Sequence, residues 1–115
     1  MEKYIKNIGA EEILSLAAQV SYLPGQIVSK TLAQNRAVSL TLFAFDKGEE
    51  ISSHDSSGDA MVTVLDGTGE ITVDGKKYTL QKDETVVMPA KKPHAVYAAE
   101  RFKMLLVVVF PKKKG

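Results

Sequence analysis

The chain contains two histidines, His54 and His94, and each lies where a loop meets a β-rich segment. Their surroundings read Gly48-x5-His54-x-Ser56-x3-Ala60-x6-Gly67 and Asp83-x5-Pro89-x-Lys91-x2-His94. Imidazole is the commonest protein ligand for transition metals, and its charge changes close to neutral pH. The pair therefore indicates a metal site or a polar ligand site, provided that the fold brings the two rings together.

The elements that must position these histidines are mostly β-strands. One short helix is predicted over residues 10–20, where Ile13, Leu16, Ala17 and Val20 repeat at helical spacing. Strands are then predicted over residues 26–33, 37–45, 51–56, 60–65, 70–73, 76–80, 85–88, 94–99 and 102–110. Asp74-Gly75 is the strongest hairpin signal between them. Short strands at this spacing are typical of an all-β sandwich or barrel.

Size and composition restrict the protein class. A chain of 115 residues with 44% apolar and 25% charged residues predicts one globular domain. It divides into an N-terminal extension with the helix (1–25), a barrel core (36–110) and a flexible tail (111–115). The net charge of +1 gives no reason to expect nucleic acid or an anionic membrane as a partner.

Targeting signals and cysteines are missing from the sequence. Without cysteine, disulfides and thiolate metal sites are excluded. Residues 1–6 hold no apolar run typical of a signal peptide, and the apolar stretch 104–110 is too short to cross a bilayer. We therefore expect a cytoplasmic protein.

The two histidine segments resemble the two motifs of the cupin superfamily, which read Gly-x5-His-x-His-x3,4-Glu-x6-Gly and Gly-x5-Pro-x-Gly-x2-His-x3-Asn. This sequence keeps, at matching intervals, Gly48, His54, Gly67, Pro89 and His94. The resemblance covers roughly residues 36–110. It implies a jelly-roll barrel, also called a double-stranded β-helix.

The resemblance also implies a metal site, which this sequence keeps only in part. A complete cupin site holds iron, manganese, zinc, nickel or a similar divalent ion with three histidines and one glutamate. Here Ser56 replaces the second histidine and Ala60 replaces the glutamate, so His54 and His94 are the two ligands that remain. In the second motif Asp83, Lys91 and Ala98 replace two glycines and the asparagine.

Three interpretations of the pair stay open at this point. A β-bulge could turn Asp59 inward as a third ligand, giving a site of two histidines and one carboxylate. Water or substrate could instead complete a weak two-histidine site. Alternatively, the histidines are hydrogen-bonded pocket residues that hold no metal.

These interpretations lead to two functional hypotheses. In the first, the protein binds an unidentified small molecule in its barrel, and the pocket is lined by His54, Ser56, Ala60, Val62, Val64, His94 and Val96. In the second, it is a metal-dependent oxygenase, isomerase or decarboxylase that uses His54 and His94 as ligands. Neither hypothesis assigns catalytic residues. Because small cupins commonly form homodimers, we also expect a homodimer, with residues 26–33 as a candidate edge element.

Overall fold

The computed structural model describes residues 3–112, which fold into nine β-strands and one 3₁₀ turn. The turn is Ala17–Gln19. The strands are β1 (Ile27–Gln34), β2 (Val38–Phe45), β3 (Glu50–His54), β4 (Asp59–Gly67), β5 (Gly69–Val73), β6 (Lys76–Leu80), β7 (Thr85–Met88), β8 (His94–Tyr97) and β9 (Phe102–Val109). The predicted all-β fold is confirmed. β6 and β7 have the predicted bounds, and the other strands differ from the prediction by a few residues at their ends.

The strands form two antiparallel sheets that face each other. One sheet has the order β1-β2-β9-β4-β7, and the other has the order β3-β8-β5-β6. Strands adjacent in the sheets are often distant in sequence, as in the β4–β9 and β3–β8 pairs. This arrangement is a jelly roll, and it brings the end of β3 beside the start of β8.

The core lies between the two sheets and follows from the alternation of each strand. Every second residue of β4 and β9 points inward, so Ala60, Val62, Val64, Phe102 and Met104 are all buried. The opposite sheet contributes Ile71, Val73, Leu80, Val96 and neighbouring apolar residues to the same cluster. The interior is therefore filled by side chains from both sheets.

A second apolar cluster covers part of the outer face of the five-stranded sheet. Residues 8–22, here called the N-terminal strap, run across this face. Leu16, Val20 and Tyr22 of the strap pack against Leu42 and Ala44 of β2. Because β2 is buried on both faces, it carries apolar residues at successive positions.

The helix predicted over residues 10–20 is reduced to a short 3₁₀ turn. Only Ala17–Gln19 forms a 3₁₀ turn, with hydrogen bonds from the amides of Ala18 and Gln19 to the carbonyls three residues back. Glu11 has a left-handed φ of 58°, which interrupts a helix, and Ile13 is fully exposed. A short helix is marginal without packing, and here the more extended strap reaches along the sheet.

Tyr22 fixes the end of the strap to the sheet. Its hydroxyl donates to Oδ2 of Asp66 over 2.5 Å, and the cationic groups of Arg101 and Lys103 each lie 4.9 Å from its ring centroid. Burial and the Asp66 carboxylate raise the pKa of Tyr22, so the phenol stays protonated. Lys103 also donates to the Ala17 carbonyl oxygen over 2.6 Å.

The C-terminal tail predicted over residues 111–115 is described only up to residue 112. Residues 113–115 of the predicted flexible tail lie outside the described residues. Within residues 3–112, no helix is long and apolar enough to cross a membrane.

Replacing Tyr22 by phenylalanine should loosen the strap. The variant loses one charge-assisted hydrogen bond, so we expect the free energy of unfolding to fall by about 1 kcal/mol in urea titrations. Tyr4→Phe is the matched control, because Tyr4 is largely exposed. Equal stability of the two variants would show that the Tyr22–Asp66 bond does not hold the strap.

Candidate functional site

His54 and His94 lie side by side at one end of the barrel. His54 ends β3, His94 begins β8, and the two residues are direct partners in the β3–β8 ladder. Their ring centroids are 4.3 Å apart, with the ring planes at 67° in an edge-to-face arrangement. The expectation that the fold brings the two imidazoles together agrees with this geometry.

A β-bulge in β3 produces this pairing. Ile51 pairs with Val96, but the next recorded pair is His54 with His94, so β3 takes three steps where β8 takes two. Ile51 packs against the core, and strict alternation would place Ser53 on the same side and turn His54 away. The extra residue reverses the alternation, so His54 faces the same side as His94.

Backbone carbonyls fix the orientation of both rings. Nδ1–H of His54 donates to the Ser52 carbonyl oxygen at 3.0 Å, and Nδ1–H of His94 donates to the Lys92 carbonyl oxygen at 3.3 Å. A carbonyl only accepts, so these contacts favour the tautomer that is protonated at Nδ1. In the neutral rings, both Nε2 atoms then keep a lone pair for a ligand or a metal.

The two histidines differ in burial. His94 is only 5% exposed, whereas His54 is exposed to solvent. The pKa of His94 is lowered, first because burial disfavours the charged ring and then because of the charge on His54. The Lys92 carbonyl and Asp55 act in the opposite direction but do not reverse this shift. The ring of His94 is therefore buried and neutral at neutral pH, and it lies beside the exposed ring of His54.

Ser56 lies in the turn between β3 and β4, and not on a strand beside His54. Its hydroxyl donates to the Gly58 carbonyl oxygen over 2.7 Å, and its own carbonyl oxygen accepts a bond from the Lys91 amide over 2.9 Å. Alternation along the predicted strand 51–56 would place Ser56 on the same face as His54, but β3 ends at His54. The hydroxyl is used within the turn.

Asp59 and Ala60 begin β4 and have different surroundings. Ala60 is buried in the core, as a partner of Met88 and Val108. Asp59 is exposed, and its Oδ1 accepts a hydrogen bond from the Ala90 amide at 2.8 Å. Within residues 3–112, no three His, Cys, Asp or Glu side chains are grouped to hold a metal ion. Asp59 is thus not brought together with the imidazoles as a third ligand.

Comparison with known protein families identifies the barrel. A family model described as a cupin domain matches residues 41–110, which include both histidines and most of the strands. The chain belongs to the cupin family. The resemblance of the two histidine segments to cupin motifs is therefore confirmed as membership of the cupin family.

Solved cupin structures match over nearly the whole chain. A conserved protein of unknown function from Streptococcus pyogenes is 47% identical, with a TM-score of 0.94 over 97% of this chain and 98% of its own. A cupin superfamily protein from Desulfitobacterium hafniense is 34% identical, with a TM-score of 0.89 over 93% of this chain and 98% of its own. A comparison with curated proteins gave no match.

A longer cupin matches as well. A cupin 2 conserved barrel domain protein from Leptotrichia buccalis is 47% identical, with a TM-score of 0.81 over 84% of this chain. The match covers 47% of that longer protein. The cupin barrel of this chain therefore resembles one part of it.

The remaining predicted pocket residues belong to the packed core of the cupin barrel. Val62 and Val64 are fully buried, and Val96 is nearly so. Two surface cavities of about 690 and 330 Å³ lie beside the turn 55–58 and the end of β9, and neither is lined by these valines or by the histidines. That these side chains line a ligand pocket stays a prediction.

Sequence reasoning missed the contacts that hold the loop 89–93. Besides the Ala90 and Lys91 bonds, the Pro93 carbonyl oxygen accepts a hydrogen bond from the Asp74 amide at 2.8 Å. Lys91 has a left-handed φ of 66°. Pro89 and Pro93 limit the conformations of this loop, but no sequence pattern identifies partners that lie 19 to 35 residues away.

The lowered pKa of His94 predicts a stability change in mild acid. The unfolded chain binds a proton on this ring near pH 6.5, and the folded protein binds it only at lower pH. The unfolded state therefore holds more protons in this window, and the free energy of unfolding falls as pH decreases below about 6.5. In urea titrations at a series of pH values, His94→Asn should show a smaller decrease than the wild type. Identical slopes would contradict the shift, since the other titrating groups are common to both proteins.

Proposed function

We propose that this cupin binds a small organic ligand at the end of its barrel through the paired imidazoles of His54 and His94. The observation that carries the proposal is the ring pair itself, because its two Nε2 atoms are left free by the backbone contacts at Nδ1. Few polar groups beside an apolar core are typical of a small-molecule site. Ile51 and Val96 continue the same two strands into that core.

Oxygen-rich ligands such as organic acids suit this pair. A neutral imidazole accepts a hydrogen bond from a hydroxyl or an undissociated acid at Nε2, and a protonated ring donates to a carboxylate. The exposed His54 is accessible to solvent, whereas the buried His94 is held in position by its surroundings. One ring can therefore receive the ligand while the other orients it.

The second candidate function is that of a metal-dependent cupin enzyme. The donor chemistry fits an open site, because imidazole nitrogen is a good ligand for Fe, Mn, Zn or Ni. His54 and His94 would supply two ligands, and water or substrate oxygens would supply the others. A bound ion would act as a Lewis acid toward those oxygens. With two protein ligands, where catalytic zinc sites usually have three, we expect such binding to be weak.

Imidazole NMR signals distinguish these functions. Protein labelled with ¹⁵N at histidine should be titrated with small carboxylates such as succinate and benzoate in mild acid, where a protonated imidazole can donate to an anion. A separate titration with Ni²⁺ is made at neutral pH, where the Nε2 lone pairs are available. We expect a carboxylate to give saturable shifts of both imidazoles, and His94→Asn to abolish the saturation at His54. Lys82→Gln, a change in an exposed turn away from the pair, should behave as the wild type.

The possible results separate clearly. Saturation by Ni²⁺ alone would favour the metal-dependent alternative over the proposed function. If neither carboxylates nor Ni²⁺ shift the imidazole signals, the pair is a structural feature and both functions are wrong.

We also propose that the protein is a homodimer that pairs through the uncovered half of its five-stranded sheet. Val87, Met61, Val107 and Leu40 form one row across β7, β4, β9 and β2 on the outer face. The strap covers the Leu40 end, whereas Met61 and Val87 are 38% and 54% exposed. A contiguous exposed apolar row is typical of an interaction surface.

A second copy of the chain suits this surface better than a charged partner. On one side of the row lie Thr63 and Thr85, which are uncharged and hydrogen-bonded to each other over 2.7 Å. On the other side Val109 is apolar and 56% exposed, and its partner Asp59 lies at the rim of the surface. A two-fold pairing places the same apolar row on both sides and needs no complementary charge at its centre.

Val87→Lys should convert the dimer into a monomer, because two-fold symmetry brings two lysines into an apolar contact. Sedimentation velocity at micromolar concentrations measures the change. Thr79→Lys, at an exposed position of β6 in the other sheet, is the matched control and should remain dimeric. A monomeric wild-type protein would refute this proposal, and it would leave the ligand site untouched.

A further inference from the structure

We propose that Asp59 is a positioning residue for His94. It fixes the loop 89–93, from which His94 enters β8, and it does not itself contact the ligand. The inference rests on the proposed function of the histidine pair. It gives a role to the carboxylate that sequence reasoning treated as a candidate third metal ligand.

Asp59 acts on this loop together with Ser56. The Ala90 amide donates to Oδ1 of Asp59 at 2.8 Å, and the Lys91 amide donates to the Ser56 carbonyl oxygen at 2.9 Å. Two successive amides of the loop are thus bound to residues that follow His54, one in the turn 55–58 and one at the start of β4. The segments carrying the two histidines are therefore linked outside the β3–β8 ladder as well as within it.

These bonds support a turn that the loop itself closes with a longer bond, from the Lys92 amide to the Pro89 carbonyl oxygen at 3.3 Å. Lys91 has φ of 66°, in the left-handed region that residues with a Cβ atom disfavour. The hydrogen bond on the Lys91 amide and the one on the preceding amide fix the peptide groups that define this turn. Pro89 and Pro93 limit the conformations at both ends of the loop.

The loop conformation determines the orientation of the His94 ring. Nδ1–H of His94 donates to the Lys92 carbonyl oxygen, which belongs to the next residue after Lys91. A shift of the loop would move this carbonyl and release the ring from its tautomer. Groups that orient a ligating imidazole in this way commonly change ligand affinity without touching the ligand.

The test compares Asp59→Ala with Asp59→Asn. Alanine removes the acceptor, whereas the asparagine side-chain oxygen still accepts from the Ala90 amide. Thr63→Val is the matched control, because it removes a different side-chain hydrogen bond of β4. Asp59 is exposed, so all three variants should fold, which thermal unfolding will verify.

Three readouts are measured on the whole protein: hydrogen exchange of the Ala90 amide, ¹⁵N signals of the His94 ring, and Ni²⁺ affinity by calorimetry. In Asp59→Ala we expect faster exchange, a His94 signal that averages between tautomers, and an affinity about 10–100-fold lower. Asp59→Asn and Thr63→Val should resemble the wild type in all three.

Other results for the amide exchange, the His94 ring or the Asp59→Asn variant overturn the inference. If the Ala90 amide exchanges faster in Asp59→Ala but the His94 signals stay unchanged, the Asp59 bond stabilises the loop without orienting the ring. If the exchange of the Ala90 amide stays unchanged, the bond does not fix the loop. If Asp59→Asn behaves like Asp59→Ala, the charge acts and not the acceptor. If the wild type binds no Ni²⁺, the metal-dependent alternative fails, but exchange and the His94 signals still decide the role of Asp59.

Discussion

The contact between Phe45, Phe102 and Gly69 sets the spacing of the two sheets. The rings of Phe45 and Phe102 are fully buried and stack with centroids 4.8 Å apart and planes 5° from parallel. Gly69 of the opposite sheet passes over the Phe102 ring, and a Cβ atom there would lie 2.5 Å from it. Only glycine permits this approach, and the remaining core residues fill the interior around it.

The core determines how firmly each histidine is held. β8 lies between β3 and β5, and Val96 packs in the core two residues from His94. His94 is therefore fixed by neighbours on both sides. β3 is an edge strand with β8 as its one partner in the sheet, so it accommodates the bulge that places His54 on the same side as His94. A rigid buried ring beside an exposed ring on a sheet edge follows from this topology.

The strands could be predicted because their signals are local. Alternation along residues 37–45 and the Asp74-Gly75 turn identify β2 and the β5–β6 hairpin without knowledge of the rest of the chain. The strap could not be predicted in this way. Its apolar residues match a helical period, but Leu16 and Val20 pack on the sheet, Ile13 is exposed and only Ala17–Gln19 form a 3₁₀ turn. The meeting of His54 and His94 could be predicted only from the motif spacing, and the bulge behind it was not predicted. The Asp59–Ala90 bond joins residues 31 positions apart, and neither residue type specifies the other.

The turn 55–58 and the start of β4 explain how the site keeps its shape with two of the usual cupin ligands replaced. At two positions where a complete cupin motif carries metal ligands, this chain has Ser56 and Ala60. Ser56 forms hydrogen bonds within the turn and to the loop 89–93, and Ala60 is part of the core. A metal ion that joined these segments would hold the two histidines together by coordination. The strand ladder, the carbonyls at both Nδ1 atoms and the bonds to Ala90 and Lys91 already connect these segments. Both Nε2 atoms are therefore positioned before anything binds, and a ligand with few atoms then loses little free energy in ordering the site.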